Sequence, residues 1–514
     1  MNFLGNMIKK VLIINRSEIA LRIQQACRAL GFQVVAVYAP EDMGARFVYA
    51  ADQAHELSGH GFTAYLNQDE IIAIALKSGA DAIHPGYGFL SENAHFARRV
   101  IENGLTWIGP SPESMVLMGD KIQARTLAQS VGVPVVPGQF ISLKDLDNLA
   151  QAQLAATQIG FPVIIKDPLA GGGKAMRRVG SVEELAVAWA AVASEAGRMT
   201  GSHELLVEKY LERGRHIEVQ VAGDGESILH FYERECSIQR RHQKIIEETP
   251  CLFVPQDILD CMYEAALTLA RAVKYKSVGT VEFMVVPGAF SPSKEPLGYK
   301  FYFLEMNTRL QVEHSVTELT TGVDLVALQF EISQGGKLTD QDKIIRRGHA
   351  LECRIYAEDP DNNFLPSTGV ITHLQLPNSP WMRHDHDLEE FKEITSFFDP
   401  MIAKVTTYGQ SRELAVGYMR GALREYVIGG ITTNISFLQR VLATNMFECG
   451  DFDTQSLKNC TELLGQALNH PEHSTLVAAA LVKMVEQEEK DGAAKTKTLP
   501  LSKPTSAWKW QQWK

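Results

Sequence analysis

An alternation of short apolar runs with one amphipathic segment opens the chain, and it constrains the fold more than any other feature. Val11–Ile14 is an apolar run of β-forming residues, and Ser17 and Glu18 then begin a helical pattern that Gly31 ends. One face of this predicted helix carries Ile19, Ile23, Ala26 and Leu30. A second apolar run, Val34–Tyr38, follows directly. Such a β-α-β unit predicts a parallel sheet covered by helices.

The composition fits a globular protein of several domains and argues against several functional classes. A chain of 514 residues, with 45% hydrophobic and 22% charged residues, is expected to form two to four domains. Its net charge of -11 argues against nucleic-acid binding, and no uncharged apolar run reaches membrane-spanning length. Seven scattered cysteines without a C-x-x-C pair predict reduced thiols, so we expect a cytoplasmic protein.

A glycine loop after a lysine-ended strand is the first indication of chemistry. The predicted strand Val163–Lys166 is followed by Gly171, Gly172, Gly173 and Lys174. Glycine lets backbone N–H groups approach phosphate oxygens, and the two lysines can add positive charge. The loop matches no Walker motif, and a purely structural turn is an equally good interpretation.

Two glutamates form a candidate metal site. Glu282 and Glu305 lie centrally in the β-rich runs Thr280–Val286 and Phe301–Met306, which a loop rich in proline and glycine joins. Antiparallel pairing would bring the facing side chains to roughly 5 Å. Carboxylates that close repel each other unless a cation such as Mg²⁺ lies between them, although two surface glutamates are the simpler interpretation of either residue alone. In an extended chain, the polar residues that follow Glu305 at two-residue spacing would all face one side: Asn307, Arg309, Gln311 and Glu313.

A basic run, Gln239–Lys244, is the third indication of function. It gathers positive charge of the kind that binds an anionic substrate. A solvated loop and a nucleic-acid patch are the alternatives, and the acidic total weighs against the second.

Eight segments together resemble the biotin carboxylase family, in the family's order and over roughly residues 7 to 460. They are NRSEIA (Asn15–Ala20), HPGYGFLSEN (His84–Asn93), LMGDK (Leu117–Lys121), EKYL (Glu208–Leu211), ERECSIQRRHQK (Glu233–Lys244), EMNTRLQVEH (Glu305–His314), GHALECRIYAEDP (Gly348–Pro360) and FLPSTG (Phe364–Gly369). Motifs of this length in this order are highly specific.

The resemblance implies an α/β (α+β) protein with the ATP-grasp fold. Its domains would be an N-terminal parallel-sheet (pre-ATP-grasp) domain at 1–120, an ATP-grasp domain at 121–345 and a C-terminal biotin carboxylase domain at 346–460. A lid over the nucleotide would span about 136–212. Residues 461–514 would form a helix and a tail that holds three of the six tryptophans. A disordered end, a docking peptide and the beginning of a further domain are all open interpretations of this tail.

The resemblance also implies a role for each site residue. ATP would contact Lys121, Lys166, Gly172, Gly173, Glu208, Lys209, Leu211, His216, Gln239, His242, Glu282 and Glu305. Mg²⁺ or Mn²⁺ would bind Glu282, Glu305 and Asn307. Bicarbonate would bind Lys244, Arg309, Gln311 and the Val312 backbone, and biotin would bind Tyr87, Arg354 and Asp399. The catalytic groups would be Arg309, Lys244, Glu313 as the base for bicarbonate, and Arg354 as the donor to the biotin enolate oxygen.

The implied reaction is carboxylation of biotin by bicarbonate and MgATP, through carboxyphosphate. It would be the first half-reaction of an acetyl-CoA or acyl-CoA carboxylase, because the third region and the FDT at 452–454 are more similar to acyl-CoA carboxylase α chains. The sequence contains no A-M-K-M biotinylation motif, so biotin is expected on a separate carrier protein or domain. A carboxyltransferase subunit and a second copy of the chain are further expected partners, and nucleic acid and membranes are not.

The chain departs from the family pattern in a lid loop with fewer glycines, in the lack of the usual glycine within Asp385–Phe398, and at four further positions. Ser17 and Ala175 stand where glycine is usual, Ser315 where proline is usual, and Asp167 adds a negative charge near the expected phosphates. None removes a charged catalytic group, so we favour an active enzyme. The altered loop motivates one alternative, a non-catalytic paralogue that serves as a scaffold in a carboxylase complex. A different ATP-grasp ligase, such as a carbamoyl-phosphate ligase, is opposed by the run from Arg309 onwards.

Overall fold

Five parallel strands form the N-terminal sheet, as the opening β-α-β pattern predicts. A computed structural model describes residues 8–170, 175–288, 298–460 and 463. Up to residue 120 its helices and strands are β1 (Lys10–Ile13), α1 (Ser17–Ala29), β2 (Gln33–Tyr38), α2 (Arg46–Tyr49), β3 (Gln53–Glu56), α3 (Gly61–Ala64), α4 (Gln68–Ser78), β4 (Ala82–His84), α5 (Ala94–Glu102), β5 (Thr106–Trp107) and α6 (Pro112–Gly119). The strand order is β3-β2-β1-β4-β5, and every adjacent pair is parallel.

The predicted helix face of α1 is confirmed except at its end. Ile19, Ile23 and Ala26 are buried in the core beside β1. Leu30 is the residue after the helix and is 43% exposed, so its assignment to the buried face was wrong. The chain turns at Gly31, whose φ of +77° lies in the left-handed region, and this turn carries Leu30 away from the core.

The predicted lid region holds a separate four-stranded antiparallel sheet. Its elements, with the helix before it, are α7 (Lys121–Ser130), β6 (Gly138–Ser142), α8 (Asn148–Ile159), β7 (Val163–Lys166), β8 (Met176–Val179), α9 (Val182–Met199) and β9 (Glu204–Lys209). The strand order is β6-β9-β7-β8. Apolar residues of α8 and α9, including Ala152, Leu185 and Trp189, pack with Val163 and Val207 of the sheet. This region therefore has its own core, as a lid that moves as a unit requires.

An eight-stranded antiparallel sheet forms the centre of the molecule. The elements of the middle part are β10 (Arg215–Asp224), β11 (Ile228–Arg240), β12 (Gln243–Thr249), α10 (Gln256–Ala272), β13 (Lys276–Pro287), β14 (Tyr299–Asn307), α11 (His314–Thr321) and α12 (Leu325–Ser333). Those of the last part are β15 (His349–Tyr356), β16 (Glu358–Asp359), β17 (Leu365–Pro366), β18 (Gly369–Val370), β19 (His373–Gln375), β20 (Met382–His386), β21 (Glu393–Ile394), β22 (Met401–Gly409), α13 (Arg412–Glu425), β23 (Val427–Gly429), α14 (Ile435–Ala443), α15 (Asn445–Cys449) and α16 (Ser456–Asn459).

The order of this sheet is β14-β13-β10-β11-β12-β15-β22-β20. Strands from both sides of the predicted boundary at 345/346 therefore share one sheet. The division into domains at that point stays a prediction. The predicted helix and tail at 461–514 lie outside the described residues, apart from Leu463. Among the described residues, no helix combines the length and the hydropathy needed to cross a membrane.

Both faces of β10 are buried, although its alternation of apolar and polar residues is typical of a half-buried strand. Ile217, Val219 and Val221 pack in the core with α10, and Glu218 and Gln220 on the other face are also fully buried. Arg234 of β11 donates to both of these polar side chains. A buried carboxylate is tolerated when it is paired in this way, so alternation of polar and apolar residues did not indicate exposure here.

Phe283 lies at the centre of the core between α10 and the sheet and gives a test of this packing. Its side chain is fully buried and meets the rings of Phe301 and Phe303 edge-on, at centroid distances of 5.6 and 6.4 Å. We expect Phe283→Ala to lower the free energy of unfolding by about 3–5 kcal/mol, because it opens a cavity. Val187→Ala, at a position 77% exposed on α9, is the control and should change it little. Urea denaturation measures the free energy of unfolding of both variants. Equal denaturation midpoints for Phe283→Ala and Val187→Ala would contradict the packing described.

Candidate active site

A cavity of about 830 Å³ lies between the N-terminal loops, the lid strands and the eight-stranded sheet. Every described residue that the sequence assigned to the site lines it: Tyr87, Lys121, Lys166, Glu208, Lys209, Leu211, His216, Gln239, His242, Lys244, Glu282, Glu305, Asn307, Arg309, Gln311, Val312, Glu313, Arg354 and Asp399. Gly172 and Gly173 lie outside the described residues. The fold thus brings these residues together, and the role of each stays a prediction.

Lys244 is the electrostatic centre of the cavity. Its ammonium group donates to three carboxylates, at 2.5 Å to Glu218, 2.9 Å to Glu282 and 2.8 Å to Glu313. Burial opposes the charge on this lysine, but the three carboxylates outweigh burial and hold its pKa well above its ordinary value. One permanent cation therefore keeps three buried carboxylates together.

The predicted pairing of Glu282 and Glu305 is confirmed. The two residues are direct partners in the antiparallel β13–β14 ladder. Burial raises the pKa of Glu305, and the charge of Glu282 raises it further. Burial also acts on Glu282, but Lys244 and His216 outweigh it and lower its pKa.

The donor set beside this pair fits a divalent cation. Asn307 lies next to it and donates to Glu282 Oε1 at 2.8 Å. Mg²⁺ prefers carboxylate and amide oxygens, and a cation here would relieve the repulsion that raises the pKa of Glu305.

The polar run after Glu305 reaches the cavity by a different route from the predicted one. The strand ends at Asn307, and residues 308–313 turn into α11, so the run is not extended throughout. Arg309 Nη1 donates to Gln311 Oε1 at 2.9 Å, and its Nη2 donates to Asn307 Oδ1 at 3.1 Å. Glu92 of the N-terminal part accepts from Arg309 Nε at 3.0 Å. These contacts of the arginine hold the turn in place of a strand ladder.

Glu313 is clamped between two cations. Its second oxygen accepts from Arg354 Nη2 at 2.9 Å, opposite the contact with Lys244. Burial alone raises the pKa of Glu313, but Lys244 and Arg354 outweigh burial and hold it well below its ordinary value. Arg354 also donates to Glu247, whose pKa burial raises to about 8. Glu313 is therefore ionised at neutral pH and can accept a proton once its cations are shared with an anion.

A second carboxylate held by two cations lies at the lid end of the cavity. Glu208 accepts from Arg125 at 2.7 Å and from Lys166 at 2.5 Å. The Lys209 side chain is directed away, to the backbone carbonyls of Gly160 and Phe161 at 2.9 and 3.0 Å. The Lys209 backbone N–H also donates, to the Pro137 carbonyl at 2.8 Å, so neither of these Lys209 donors is free for a ligand.

The structure shows what two of the substitutions cost and which contacts the other two make. Ser17 and Ala175 have φ of +56° and +48°, in the left-handed region, which costs a non-glycine residue about 1–2 kcal/mol. Ser315 donates to the Glu352 carboxylate, a contact that proline cannot make.

Asp167 does not face the cavity as an unpaired charge. Its carboxylate accepts from Thr200 Oγ1 at 2.6 Å and from the Leu169 backbone at 2.9 Å. It therefore ties the base of the glycine loop to the end of α9.

Sequence reasoning missed several residues that line or support the cavity. Glu218 is the most important, and its only sequence signal was a polar residue inside an apolar strand. Thr454 and Gln455 reach the cavity from the last described segment, and Met284 and Leu304 supply apolar wall. No local pattern marks these four, because they meet the cavity only through long-range packing.

Family models match the chain in three consecutive pieces. Residues 7–115 match the biotin carboxylase N-terminal domain, and residues 352–459 match the biotin carboxylase C-terminal domain. Residues 120–341 match the ATP binding domain of the carbamoyl-phosphate synthase L chain. These three matches cover the regions that supply the cavity.

Two curated relatives illustrate how much of each protein is shared. Biotin carboxylase 2 of Bacillus subtilis is 45% identical over 455 residues, which are 88% of this chain and 99% of that protein. The mitochondrial methylcrotonoyl-CoA carboxylase subunit alpha of Oryza sativa is 42% identical, over 92% of this chain. This chain spans only 64% of the length of that rice subunit.

Solved structures share both the fold and the ligands expected here. The biotin carboxylase domain dimer of Hydrogenobacter thermophilus 2-oxoglutarate carboxylase, in complex with MgADP, ADP and bicarbonate, matches with a TM-score of 0.83. It is 40% identical, and the match covers 90% of this chain and all of that one. Campylobacter jejuni biotin carboxylase matches with a TM-score of 0.81 and 38% identity, over 88% of this chain and 99% of that one. The predicted ATP-grasp fold is confirmed.

Replacing Lys244 tests its role as the cation of the site. We expect Lys244→Met to lower the free energy of unfolding at pH 7.5 by about 3–5 kcal/mol, because it leaves buried carboxylates without their cation. In the wild type the pKa values of Glu282 and Glu313 lie below their ordinary value of 4.5. The two ionised carboxylates therefore stabilise the folded state above pH 4.5, and this contribution is lost as the pH falls below that value. In the variant only His216 opposes burial at Glu282, and only Arg354 and Arg234 oppose it at Glu313, so both pKa values rise relative to the wild type and more stability is lost at high pH.

The difference in the free energy of unfolding between the wild type and Lys244→Met should therefore become smaller as the pH is lowered from 8 to 5. Urea denaturation at several pH values measures it. Lys343→Met, which removes one exposed ion pair with Asp340, is the control and should follow the wild type throughout. A deficit that stayed constant with pH would contradict the account of the three carboxylates.

Proposed function

This chain belongs to the biotin carboxylase family of ATP-dependent ligases, and we propose that it uses MgATP and bicarbonate to carboxylate biotin on a carrier protein. The observation that carries the proposal is the clamp on Glu313, whose two oxygens meet Lys244 and Arg354 at 2.8 and 2.9 Å. Side by side in this way, Glu313 would serve as the base for bicarbonate and Arg354 as the donor for biotin.

The nucleotide would occupy the lid end of the cavity. Lys121 and Lys166 would neutralise phosphate oxygens, Glu208 and the backbone of Lys209 and Leu211 would meet the adenine, and the undescribed Gly172 and Gly173 would add backbone donors. His216, Gln239 and His242 would complete the site. Mg²⁺, or Mn²⁺ in its place, would be held by Glu282, Glu305 and Asn307, and it would neutralise charge on the transferred phosphoryl group.

Bicarbonate would bind between the cations of the central cavity. Lys244, Arg309, Gln311 and the Val312 backbone would hold it beside Glu313. The arriving anion would share Lys244 and so raise the basicity of Glu313, which would remove the bicarbonate proton. A bicarbonate oxygen would then attack the γ-phosphorus, release ADP and form carboxyphosphate.

Biotin would be carboxylated in the second step. Carboxyphosphate would break down to CO₂ and phosphate, and the phosphate would take the proton from the biotin ureido nitrogen. Arg354 would donate to the ureido oxygen as it gains negative charge, and the freed nitrogen would attack CO₂. Tyr87 and Asp399 would line the biotin end. Closure of residues 136–212 would exclude water, which otherwise hydrolyses carboxyphosphate.

The carrier and the carboxyltransferase would be separate partners, and we favour a carboxyltransferase that acts on an acyl-CoA. The similarity to the methylcrotonoyl-CoA carboxylase subunit alpha supports this choice, and the equally similar pyruvate and 2-oxoglutarate enzymes are its competitors. We also propose a cytoplasmic homodimer. All seven cysteines are free thiols, and the Hydrogenobacter thermophilus domain is a dimer.

Co-purification distinguishes the candidate carboxyltransferases. A tagged chain isolated from its own cells should bring with it a biotinylated carrier and a carboxyltransferase that converts an acyl-CoA in a ¹⁴C-bicarbonate assay. Transfer of label to pyruvate or 2-oxoglutarate instead would overturn the acyl-CoA assignment and leave the biotin carboxylase reaction intact.

The first test of the proposed reaction is bicarbonate-dependent ADP formation, with and without free biotin. We expect the rate to rise with biotin. We expect Glu313→Gln to lower it about 10²- to 10⁴-fold, because the amide cannot accept the bicarbonate proton. ATP affinity, measured by calorimetry, should be retained. Glu264→Gln, at an exposed position on α10, is the control and should behave as the wild type.

The same assay judges the scaffold alternative. A wild-type chain that is folded and binds ATP, but forms no ADP in response to bicarbonate, would contradict the proposed reaction. A Glu313→Gln variant with wild-type turnover would instead contradict the assignment of the base.

A further inference from the structure

Lys404 is a fully buried lysine that no step of the proposed reaction uses. It lies on β22, where its direct ladder partners are Arg354 on β15 and Asp385 on β20. Direct partners in a sheet share a face, so these three residues form a charged row across three strands. The exposure of the Lys404 side chain is 0%. A charge that deep is retained only when its surroundings hold it.

This face of the sheet receives the segment that carries Glu313. Lys404 Nζ donates to the Val312 carbonyl oxygen, and Arg354 holds the Glu313 carboxylate. Ser315 Oγ donates to Glu352 of β15 and lies 2.8 Å from Thr406 Oγ1 of β22. Contacts of Val312, Glu313 and Ser315 therefore dock residues 312–315 on the last part of the sheet.

Among the described residues, the Val312 carbonyl is the one group that accepts a hydrogen bond from Lys404. The carboxylates of Glu352 and Asp385 lie 3.8 and 3.7 Å from its nitrogen, near enough to stabilise the charge but too far for strong hydrogen bonds. A charged donor binds a carbonyl more strongly than a neutral one does. The ammonium group is therefore held in place by the two acids and aimed at the Val312 carbonyl.

We infer that Lys404 is a positioning residue for bicarbonate and for its base. The carbonyl that it holds belongs to the peptide plane joining Val312 to Glu313. Fixing this plane fixes the backbone at Val312, an expected bicarbonate ligand, and the Cα from which the Glu313 carboxylate projects. This inference rests on the proposed function, and it assigns part of the bicarbonate site to a strand of the predicted C-terminal domain.

Kinetics of Lys404→Met provide the main test. The variant keeps the aliphatic stem and loses the ammonium group, so Val312 and Glu313 should lose their fixed orientation. We expect KM for bicarbonate to rise about 10-fold or more, and kcat to fall, because small misplacements of reacting groups are costly. KM for MgATP should stay within about 2-fold of the wild type, since Lys404 touches none of the expected nucleotide ligands.

A matched control separates positioning from general loss of stability. Thr407 lies on the opposite face of β22 from Lys404. It is fully buried and donates to the Ala415 carbonyl at 2.8 Å. Thr407→Val removes a buried hydrogen bond from the same strand and should leave KM for bicarbonate unchanged. Equal increases of both KM values in Lys404→Met, or an increase of KM for bicarbonate in Thr407→Val, would overturn the inference.

Hydrogen–deuterium exchange gives a readout that needs no turnover. Amides of the peptide spanning 309–317 should exchange faster in Lys404→Met and not in Thr407→Val; unchanged exchange in Lys404→Met would overturn the inference. If Lys404→Met does not fold, Asp385→Asn provides a second test, because it removes one of the two acids that stabilise the charge on Lys404. We expect it to raise KM for bicarbonate, and an unchanged KM would count against the inference. Failure of the proposed function would appear in the wild type itself, and failure of this inference only in the variants.

Discussion

One ammonium group surrounded by carboxylates is the interaction on which the site depends. Lys244 of β12 binds Glu218 of β10, Glu282 of β13 and Glu313 before α11. The strand order β13-β10-β11-β12 is what lets one side chain reach all three. Without it, only Arg234, His216 and Arg354 among the described residues would balance the three buried carboxylates, and the pKa values of Glu282 and Glu313 would be higher. Glu282 and Glu313 would then be less suited to their proposed roles as metal ligand and base. The proposed chemistry of the cavity therefore depends on one long-range ion cluster, which the sheet and the turn before α11 position.

The continuity of the sheet explains how the last part of the chain takes part in the site. β15 lies beside β12 and β22 lies beside β15, so Arg354 and Lys404 reach the same segment that Lys244 contacts. Residues 312–315 are thus fixed between the middle and last parts of the chain. A buried polar layer of this kind costs desolvation, and it is stable only when every member is paired. That requirement favours one arrangement of residues 312–315 over the others that a flexible turn could adopt. The proposed base for a small anion needs such a fixed position.

Much of this could be predicted from the sequence, and the exceptions have physical causes. The pairing of Glu282 with Glu305 was predictable because each lies centrally in one of two β-rich runs that one loop joins, and antiparallel pairing of such runs sets their centres opposite each other. The prediction that the extended chain continues to Glu313 was wrong, because contacts of Arg309 replace the strand hydrogen bonds after Asn307. The burial of Glu218 was invisible because its partner, Arg234, is sixteen residues away on another strand. Local patterns report backbone periodicity, whereas pairing of buried charges depends on the assembled sheet.

The departures from the family pattern bear on whether the site can be active. Asp167 raised the concern that a negative charge beside the glycine loop would repel phosphates, but its carboxylate is engaged by Thr200 and the Leu169 backbone. Ala175 occupies a left-handed conformation that glycine would adopt without strain, so that end of the loop keeps the same backbone path at a cost of about 1–2 kcal/mol. At the two described ends of the loop, the Asp167 charge is paired and the cost of Ala175 is small beside a typical protein stability of about 5–15 kcal/mol, so neither substitution favours the scaffold alternative.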